Sequence, residues 1–504
     1  MIETILAIDL GLTNCKTVFF RVDGTICERE SLPYPTYKHQ NGWVEQEPED
    51  WWQAVVKGVQ AVGMRNPGLL ASVCAISVTG HMHALVCLGP DHTSLGPSLV
   101  LGDRRSLVES DDIVQRIGLE HIYRLTGARM DASMPLAKIC WLQRHLPEIP
   151  RQTRAFLSCK DWLRHRLTGD LLTDPIDACG TSIYDLQAAN WAPELVKLAG
   201  IRAEQLPRIA DPCSLAGALT KEAGAALGLL PGIPVVVGAG DDVEVLGNGL
   251  MGPGVSLEHL GTTGSILTCS DRLAYDPNMA VEVYPHAAAG LWVLGGSVTA
   301  AGMALEWAQK VLQNFHSEEP ALLNDLSCFP HPRLEEPLIF VPHISGERCP
   351  EWQPRARGTW CGLSAAHTQA DLRQAVLEGI AFSLKNVLDR IERLAGSQTS
   401  ITVGARELAN PGWSKLRATI YRRPLAVLDT EEPTALGAMI LAAVGIGAYP
   451  DLAEAVKTVT GSDVQIEPSS EFIDEYQCLY ELYLDAADAQ RDLMLKWQAR
   501  LGTA

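Results

Sequence analysis

The sequence has few of the short signatures that would declare the chemistry of a 504-residue chain. No Gly-x-x-x-x-Gly-Lys-Ser/Thr run occurs, which excludes the P-loop way of cradling nucleotide phosphates. The 13 cysteines are scattered, odd in number and never spaced Cys-x-x-Cys. That usage argues against a disulfide framework or a zinc ribbon and fits buried or idle thiols in a reducing compartment. Net positive charge is also absent. The formal charge of −19 disfavours DNA, RNA or an anionic membrane as a partner, but leaves room for a small anion held by backbone amides and a divalent metal. The amino-terminal apolar run is flanked by Glu3 and Asp9 rather than by the basic residues of a signal peptide. The longest uncharged apolar stretch, Thr434 to Tyr449, is too short for a membrane span and is bracketed by prolines. The expectation is a cytoplasmic protein.

One glycine motif is present in the wrong context. Gly247-x-Gly249-x-x-Gly252 follows a predicted helix and runs into Pro253-Gly254, whereas a dinucleotide fingerprint must follow a strand and open a helix. It reads as a loop. The length exceeds one ordinary core and predicts two large domains. The run Pro234-Val235-Val236-Val237-Gly238-Ala239-Gly240-Asp241-Asp242 predicts a buried strand entering a sharp turn with two carboxylates. Asp241 is thereby expected at the carboxyl end of a central strand, where open α/β sheets bind ligands. Taken alone, Asp241 and Asp242 read first as caps of a helix beginning at Val243.

The amino terminus predicts a strand over Ile5–Leu10, a turn at Gly11-Leu12-Thr13, and a second strand through Phe20. Such a Gly-x-Thr turn offers amides and a hydroxyl to a phosphate, and Asp9 just before it suits a hydrated Mg²⁺. Val255 to Leu267 repeats the pattern around Gly261-Thr262-Thr263, about half a chain later. Duplication of one α/β domain explains the repeat, and two hairpins aimed into a shared cleft would hold a triphosphate from both sides. Another strand, Ala75–Gly80, leads to His81-Met82-His83. A His-x-His can present both rings to zinc, but without a third ligand nearby it reads as a polar lining for a hydroxylated ligand. Asp103-Arg104-Arg105 either reaches a pocket or lies in a solvated loop. Helices are predicted from Pro48, over Leu136–His145 after Pro135, and from Lys160, the last two as packing elements. Thr368 to Asp371 forms a capping-box-like start for a helix through Phe382, in which Gly379 points to close packing against another backbone.

Together these residues resemble the FGGY carbohydrate kinases. Ser133-x-Pro135-x-x-Lys138-Ile139-x-Trp141-Leu142-x-Arg144-His145 fits that family's first signature. Gly358-x-Trp360-x-Gly362-Leu363 with Asp371-Leu372-x-x-Ala375-Val376-Leu377-Glu378 fits its second. The resemblance implies an α/β protein of two ribonuclease-H-like, actin-like ATPase domains flanking a catalytic cleft, with a sugar-binding domain at 1–245 and a nucleotide-binding domain at 246–504. It implies ATP-dependent phosphorylation of a small sugar with ATP and Mg²⁺ as cofactors and Asp241 as general base. Met82, His83, His81, Asp103 and Asp242 would face the sugar. Gly11, Thr13, Lys16, Gly261, Thr262, Thr263 and Asn410 would face the phosphates or nucleotide, and Asp9 the metal. The partners implied are the sugar and ATP, with a homodimer left open. The Trp43–Trp52 run and Met82-His83 look most like xylulokinases. Arg348-Cys349-Pro350-Glu351-Trp352 looks more like gluconate kinases. Five departures from the usual pattern stand out: Leu12 in the first hairpin, Ala405-Arg406-Glu407 where a triple glycine is usual, His81 for glutamine, Asp242 for asparagine, and Leu101-Gly102 where Trp-Asn usually precedes the aspartate at Asp103. The first two motivate an alternative reading as a catalytically weak sugar-binding homologue.

Overall fold

A computed structural model describes residues 3–39, 41–313, 331–461 and 464–501. The chain divides into two compact units. The first comprises residues 1–251, 284–291 and 431–460; the second comprises 252–283, 292–430 and 461–504.

The first unit is built on a seven-stranded sheet of β1 (Thr4–Leu10), β2 (Asn14–Arg21), β3 (Ile26–Pro33), β4 (Val73–Gly80), β5 (Leu215–Ala218), β6 (Pro234–Val236) and β7 (Ala239–Gly240). Its spatial order is β5-β6-β4-β1-β2-β3, with β7 also paired to β4. The β1–β2–β3 meander is antiparallel, whereas β1, β4 and β6 run parallel. Every residue of β1 is buried, as a strand covered on both faces requires. Leu6, Ile8 and Leu10 pack with Trp51, Val55 and Val59 of the Pro48–Arg65 helix. Ile5 and Ala7, on the opposite face, pack with Ala435, Met439 and Ala442.

That second cover is the Pro433–Gly445 helix, the long apolar stretch near the end of the sequence. It lies in the first compact unit, on the face of the sheet opposite the Pro48–Arg65 helix. The physical reason is that the sheet has a second apolar face, and this helix is apolar nearly all round. Glycines permit the approach. A Cβ on Gly247 would fall 1.9 Å from the Pro433 carbonyl oxygen, and one on Gly437 would fall 2.3 Å from that of Val243. Gly247 thus serves helix packing, and Gly252 leads into a strand, so the misplaced glycine motif opens no helix.

The second unit repeats the plan with β8 (Val255–Leu260), β9 (Gly264–Ser270), β10 (Glu282–Pro285), β11 (Trp292–Val298), β12 (Ser400–Gly404), β13 (Leu425–Leu428) and β14 (Val464–Ile466), in the order β10-β11-β9-β8-β12-β13-β14. Here too an antiparallel set (β8, β9, β11) is followed by parallel strands (β8, β12, β13) and an antiparallel edge. The Gln369–Ala395 helix carries the Thr368/Asp371 capping box and runs well past Phe382. A Cβ on Gly379 would lie 2.1 Å from the Phe340 carbonyl oxygen, the close backbone approach expected of that glycine. Among the described residues no helix is long and apolar enough to cross a membrane.

Candidate functional site

Strand register gathers the first set of candidate residues. Asp9 and Leu10 of β1 lie opposite Thr79 and Gly80 of β4, and Ala239 and Gly240 of β7 lie opposite the same two residues from the other side. The next residues out are Gly11, His81 and Asp241, so three neighbouring strands end together at their carboxyl ends. From Val235 in β6 to Ala239 in β7 the chain takes four steps, where β4 takes three from Ile76 to Thr79. Gly238 takes up the extra residue at φ 72°, and a Cβ there would sit 2.1 Å from the Val78 carbonyl oxygen.

The capping interpretation of the two aspartates does not hold. Asp241–Val243 is a short 3₁₀ turn entered from Gly240, and the following helix, Glu244–Gly247, is entered from Val243. Neither start has a side-chain cap. Asp241 instead accepts a hydrogen bond from the Met82 backbone N–H at 3.3 Å. Burial, then the carboxylates of Asp242, Asp9, Asp177 and Glu244, push its pKa well above the usual carboxylate range. Asp9 is 5% exposed. Its pKa is pushed up to about 6, by burial first, with Lys16 opposing and Glu432 adding to the rise.

Lys16 Nζ lies 2.7 Å from Glu432 Oε2 and 4.0 Å from Asp9 Oδ2, and Arg29 reaches Glu432 from another side at 3.5 Å. Carboxylates therefore outnumber the cations around Asp9 and Asp241. That surplus, with a buried carboxylate held partly protonated, fits a hydrated divalent cation at Asp9. In the first hairpin, the Gly11 carbonyl accepts from the Tyr34 hydroxyl and that of Leu12 from Gln46 Nε2 at 2.8 Å. Leu12, where the family pattern has a hydroxyl, packs against the core. Thr13 is exposed, and its Oγ1 donates to Asn14 Oδ1 at 3.1 Å.

His81-Met82-His83 lies in the turn after β4 rather than on the strand. His81 is buried with its ring edge-on to Trp51, and among the described residues neither ring nitrogen has a hydrogen-bond partner. His83 Nδ1 pairs with the Gly180 carbonyl at 3.0 Å. Burial, then Lys138, lowers the two imidazoles to about 3 and about 4, so both are neutral near pH 7. Met82 is seated against two glycines; a Cβ on Gly180 would lie 2.5 Å from Met82 Cε, and one on Gly240 2.9 Å from Met82 Cγ. Asp103 is fully buried. Its carboxylate accepts from Val44 N at 2.7 Å and, on both oxygens, from Arg105 Nε at 2.9 and 3.0 Å.

In the second unit Gly261, Thr262 and Thr263 form the exposed turn between β8 and β9. The start of the Gly302–Gln313 helix supports it, with Gly302 N donating to Gly261 O and Met303 N to Thr262 O, each at 3.0 Å. Asn410 precedes the Pro411–Tyr421 helix with no side-chain cap. The side chains of Arg406 and Glu407 lie outside the described residues.

Two buried lysines escaped the sequence reading, which assigned both of their helices to packing. Lys160 Nζ sits among Asp161, Asp174 and Asp177 at 2.6, 3.0 and 3.5 Å, and Arg164 adds a second cation 2.8 Å from Asp161. Burial works against the Lys160 ammonium, but the three carboxylates hold its pKa above the ordinary value. The three carboxylates have the spacing of a metal cluster, with Lys160 supplying the cation. Arg164 also donates to the Val237 carbonyl at 3.1 Å, and Asp177 Oδ1 would lie 3.0 Å from a Cβ on Gly240. The charged group therefore underlies the chain entering Asp241. A cation placed among Leu136, Ile139 and Leu142, as Lys138 is, was the available signal for the other lysine.

Comparison with known proteins bears on this arrangement. The model of the FGGY carbohydrate kinase N-terminal domain matches residues 4–247, and that of the C-terminal domain matches 259–446. The chain is 28% identical over 491 residues to the xylulose kinase of Bacillus subtilis, covering 97% of each. To the gluconokinase of the same organism it is 27% identical over 497 residues, covering 96% of each. The crystal structure of a xylulose kinase from Lactobacillus acidophilus superposes with a TM-score of 0.89 at 28% identity, covering 98% of this chain and 100% of that one. Two sheets of matching order, each with a Gly-x-Thr hairpin at its first turn, together with these matches over nearly the whole length, show that the chain belongs to the FGGY family of carbohydrate kinases.

Proposed function

We propose that the chain transfers the γ-phosphoryl group of ATP to a hydroxyl of D-xylulose, giving D-xylulose 5-phosphate, with Asp241 as general base. The observation that carries this reading is the Asp241 carboxylate, at the carboxyl ends of the parallel strands and bonded to the backbone of Met82 beside His83. A sugar hydroxyl is a weak nucleophile. Its proton passes to Asp241 as the new O–P bond forms and the bond to ADP breaks. Once ionised, Asp241 is a stronger proton acceptor than an ordinary carboxylate, because burial and the neighbouring carboxylates raise its pKa.

Met82, His83, His81 and Asp242 are assigned to the sugar, His83 as a neutral imidazole. Asp103 supports them by holding Arg105 and Val44 in place. Gly11, Thr13, Lys16, Gly261, Thr262, Thr263 and Asn410 are assigned to the phosphates and nucleotide. Asp9 is assigned to Mg²⁺, which when bound neutralises phosphate charge.

The xylulose kinase and gluconokinase relatives are nearly equal in identity, and the 348–352 turn favours gluconate as the second reading. An ADP-release assay over ketoses, polyols and sugar acids decides between them. Fastest turnover with D-xylulose supports the first reading, preference for gluconate replaces it with the second, and no turnover with any acceptor favours a silent sugar-binding homologue.

A further inference from the structure

Lys138 takes no part in the mechanism above, yet it joins two of the segments assigned to the sugar. It is fully buried on the Pro135–His145 helix. Its Nζ donates to the His83 carbonyl at 2.6 Å and to those of Leu99 and Val100 at 3.1 Å each. One acceptor belongs to the turn that carries Met82 and His83, and the other two to the turn that leads into Asp103. Among the described residues no carboxylate pairs with Lys138, and Asp103 is engaged by Val44 and Arg105. Three carbonyl acceptors match the three N–H groups of an ammonium, whereas a neutral amine has only two.

The turn that Lys138 holds is a strained one. His83 lies in the left-handed region at φ 65°, which a non-glycine residue keeps only when its surroundings over-determine it. Two contacts do so: Lys138 on its carbonyl, and the Gly180 carbonyl on its ring.

We propose that Lys138 is a positioning residue for the acceptor sugar, locking the Met82–His83 turn to the Leu99–Asp103 turn and so setting sugar affinity without touching the sugar. This rests on the assignment of Met82 and His83 to the sugar. The charge state of the clamp is itself adjustable. Burial opposes the ammonium, Asp103 supports it, Arg105 opposes and Asp131 supports, leaving it to titrate at about 7. The ionisable groups facing it are His81 and His83 on the first turn, both neutral there, Asp103 and Arg105 on the second, and Asp131 ahead of the helix. Sugar affinity therefore weakens as pH rises through neutrality, and ATP affinity does not follow it.

The test measures steady-state constants for D-xylulose and ATP in the wild-type protein, Lys138→Met and His83→Ala. Lys138→Met is expected to raise KM for D-xylulose by about tenfold or more, with kcat changed by less than about threefold and KM for ATP unchanged. The wild-type KM for the sugar should rise between about pH 6 and about pH 8, while that of the variant stays flat. A folded Lys138→Met with wild-type KM overturns the inference if His83→Ala raises KM. If His83→Ala is also silent, the sugar assignment itself fails. A parallel loss in kcat and both KM values assigns Lys138 a purely structural role and overturns the inference too. Should Lys138→Met not fold, the wild-type pH series decides alone, a flat sugar KM refuting the clamp.

Discussion

Asp241→Asn separates the chemistry of the site from its architecture. The amide keeps the oxygen that accepts the Met82 N–H, so the turn and the sugar contacts are expected to persist. What it loses is the ability to take a proton. General-base assistance contributes about 10²–10⁴ in rate, equivalent to roughly 3–5 kcal/mol of barrier. The same change relieves a crowd of like charges, because the Asp241 pKa is raised first by burial and then by Asp242, Asp9, Asp177 and Glu244. A carboxyl whose folded pKa lies above its unfolded value of 3.8 adds stability that is complete below that value and is lost as pH rises through the folded pKa. The asparagine variant should therefore melt higher than wild type at alkaline pH, with the advantage shrinking towards pH 4. ADP release reads the first effect and thermal unfolding across pH the second. Turnover within about tenfold of wild type would refute the general-base assignment. A lower melting temperature than wild type at alkaline pH would refute the crowding argument.

Glu378, 6% exposed and pushed up to about 7 by burial, receives both the Gln374 amide and the Tyr476 hydroxyl on one oxygen. Its stabilising protonation is lost between its unfolded value of 4.5 and about 7, so Glu378→Gln should raise the unfolding free energy at alkaline pH by up to roughly 3 kcal/mol, read as a higher urea midpoint, and leave it unchanged near pH 4. Equal midpoint shifts at both pH values would contradict this. Lys160→Met leaves Asp161, Asp174 and Asp177 buried with Arg164 alone, and should cost about 3–5 kcal/mol or prevent folding; a midpoint within experimental error of wild type would show that the cluster is neutralised otherwise. Gly379→Ala drives a methyl group against the Phe340 carbonyl and should destabilise by about 1–3 kcal/mol, readable in the same denaturant titration.

The sequence by itself determined what depends on neighbours along the chain. Both Gly-x-Thr hairpins are strand, turn, strand within a few residues, and the repeat announced two related sheets. The Thr368/Asp371 box and the close approach at Gly379 were likewise legible, since caps and helix glycines carry local signals. The strand ending in Asp241 was recognisable, but its role was not, because Asp is also a good cap. Only the observed turn, entered from Gly240 with Met82 N–H on the carboxylate, removes the capping reading.

Tertiary structure alone decided how the charges are held. Lys16 meets Glu432 across 416 positions of sequence, and the helix after Glu432 returns to cover the first sheet. Lys138 and Lys160 lie on helices whose apolar pattern predicted only packing, and Asp103 proved to be engaged by Val44 and Arg105. Burying an ion demands partners in three dimensions. Those partners come from whatever segment the fold brings near, which hydrophobic periodicity does not encode.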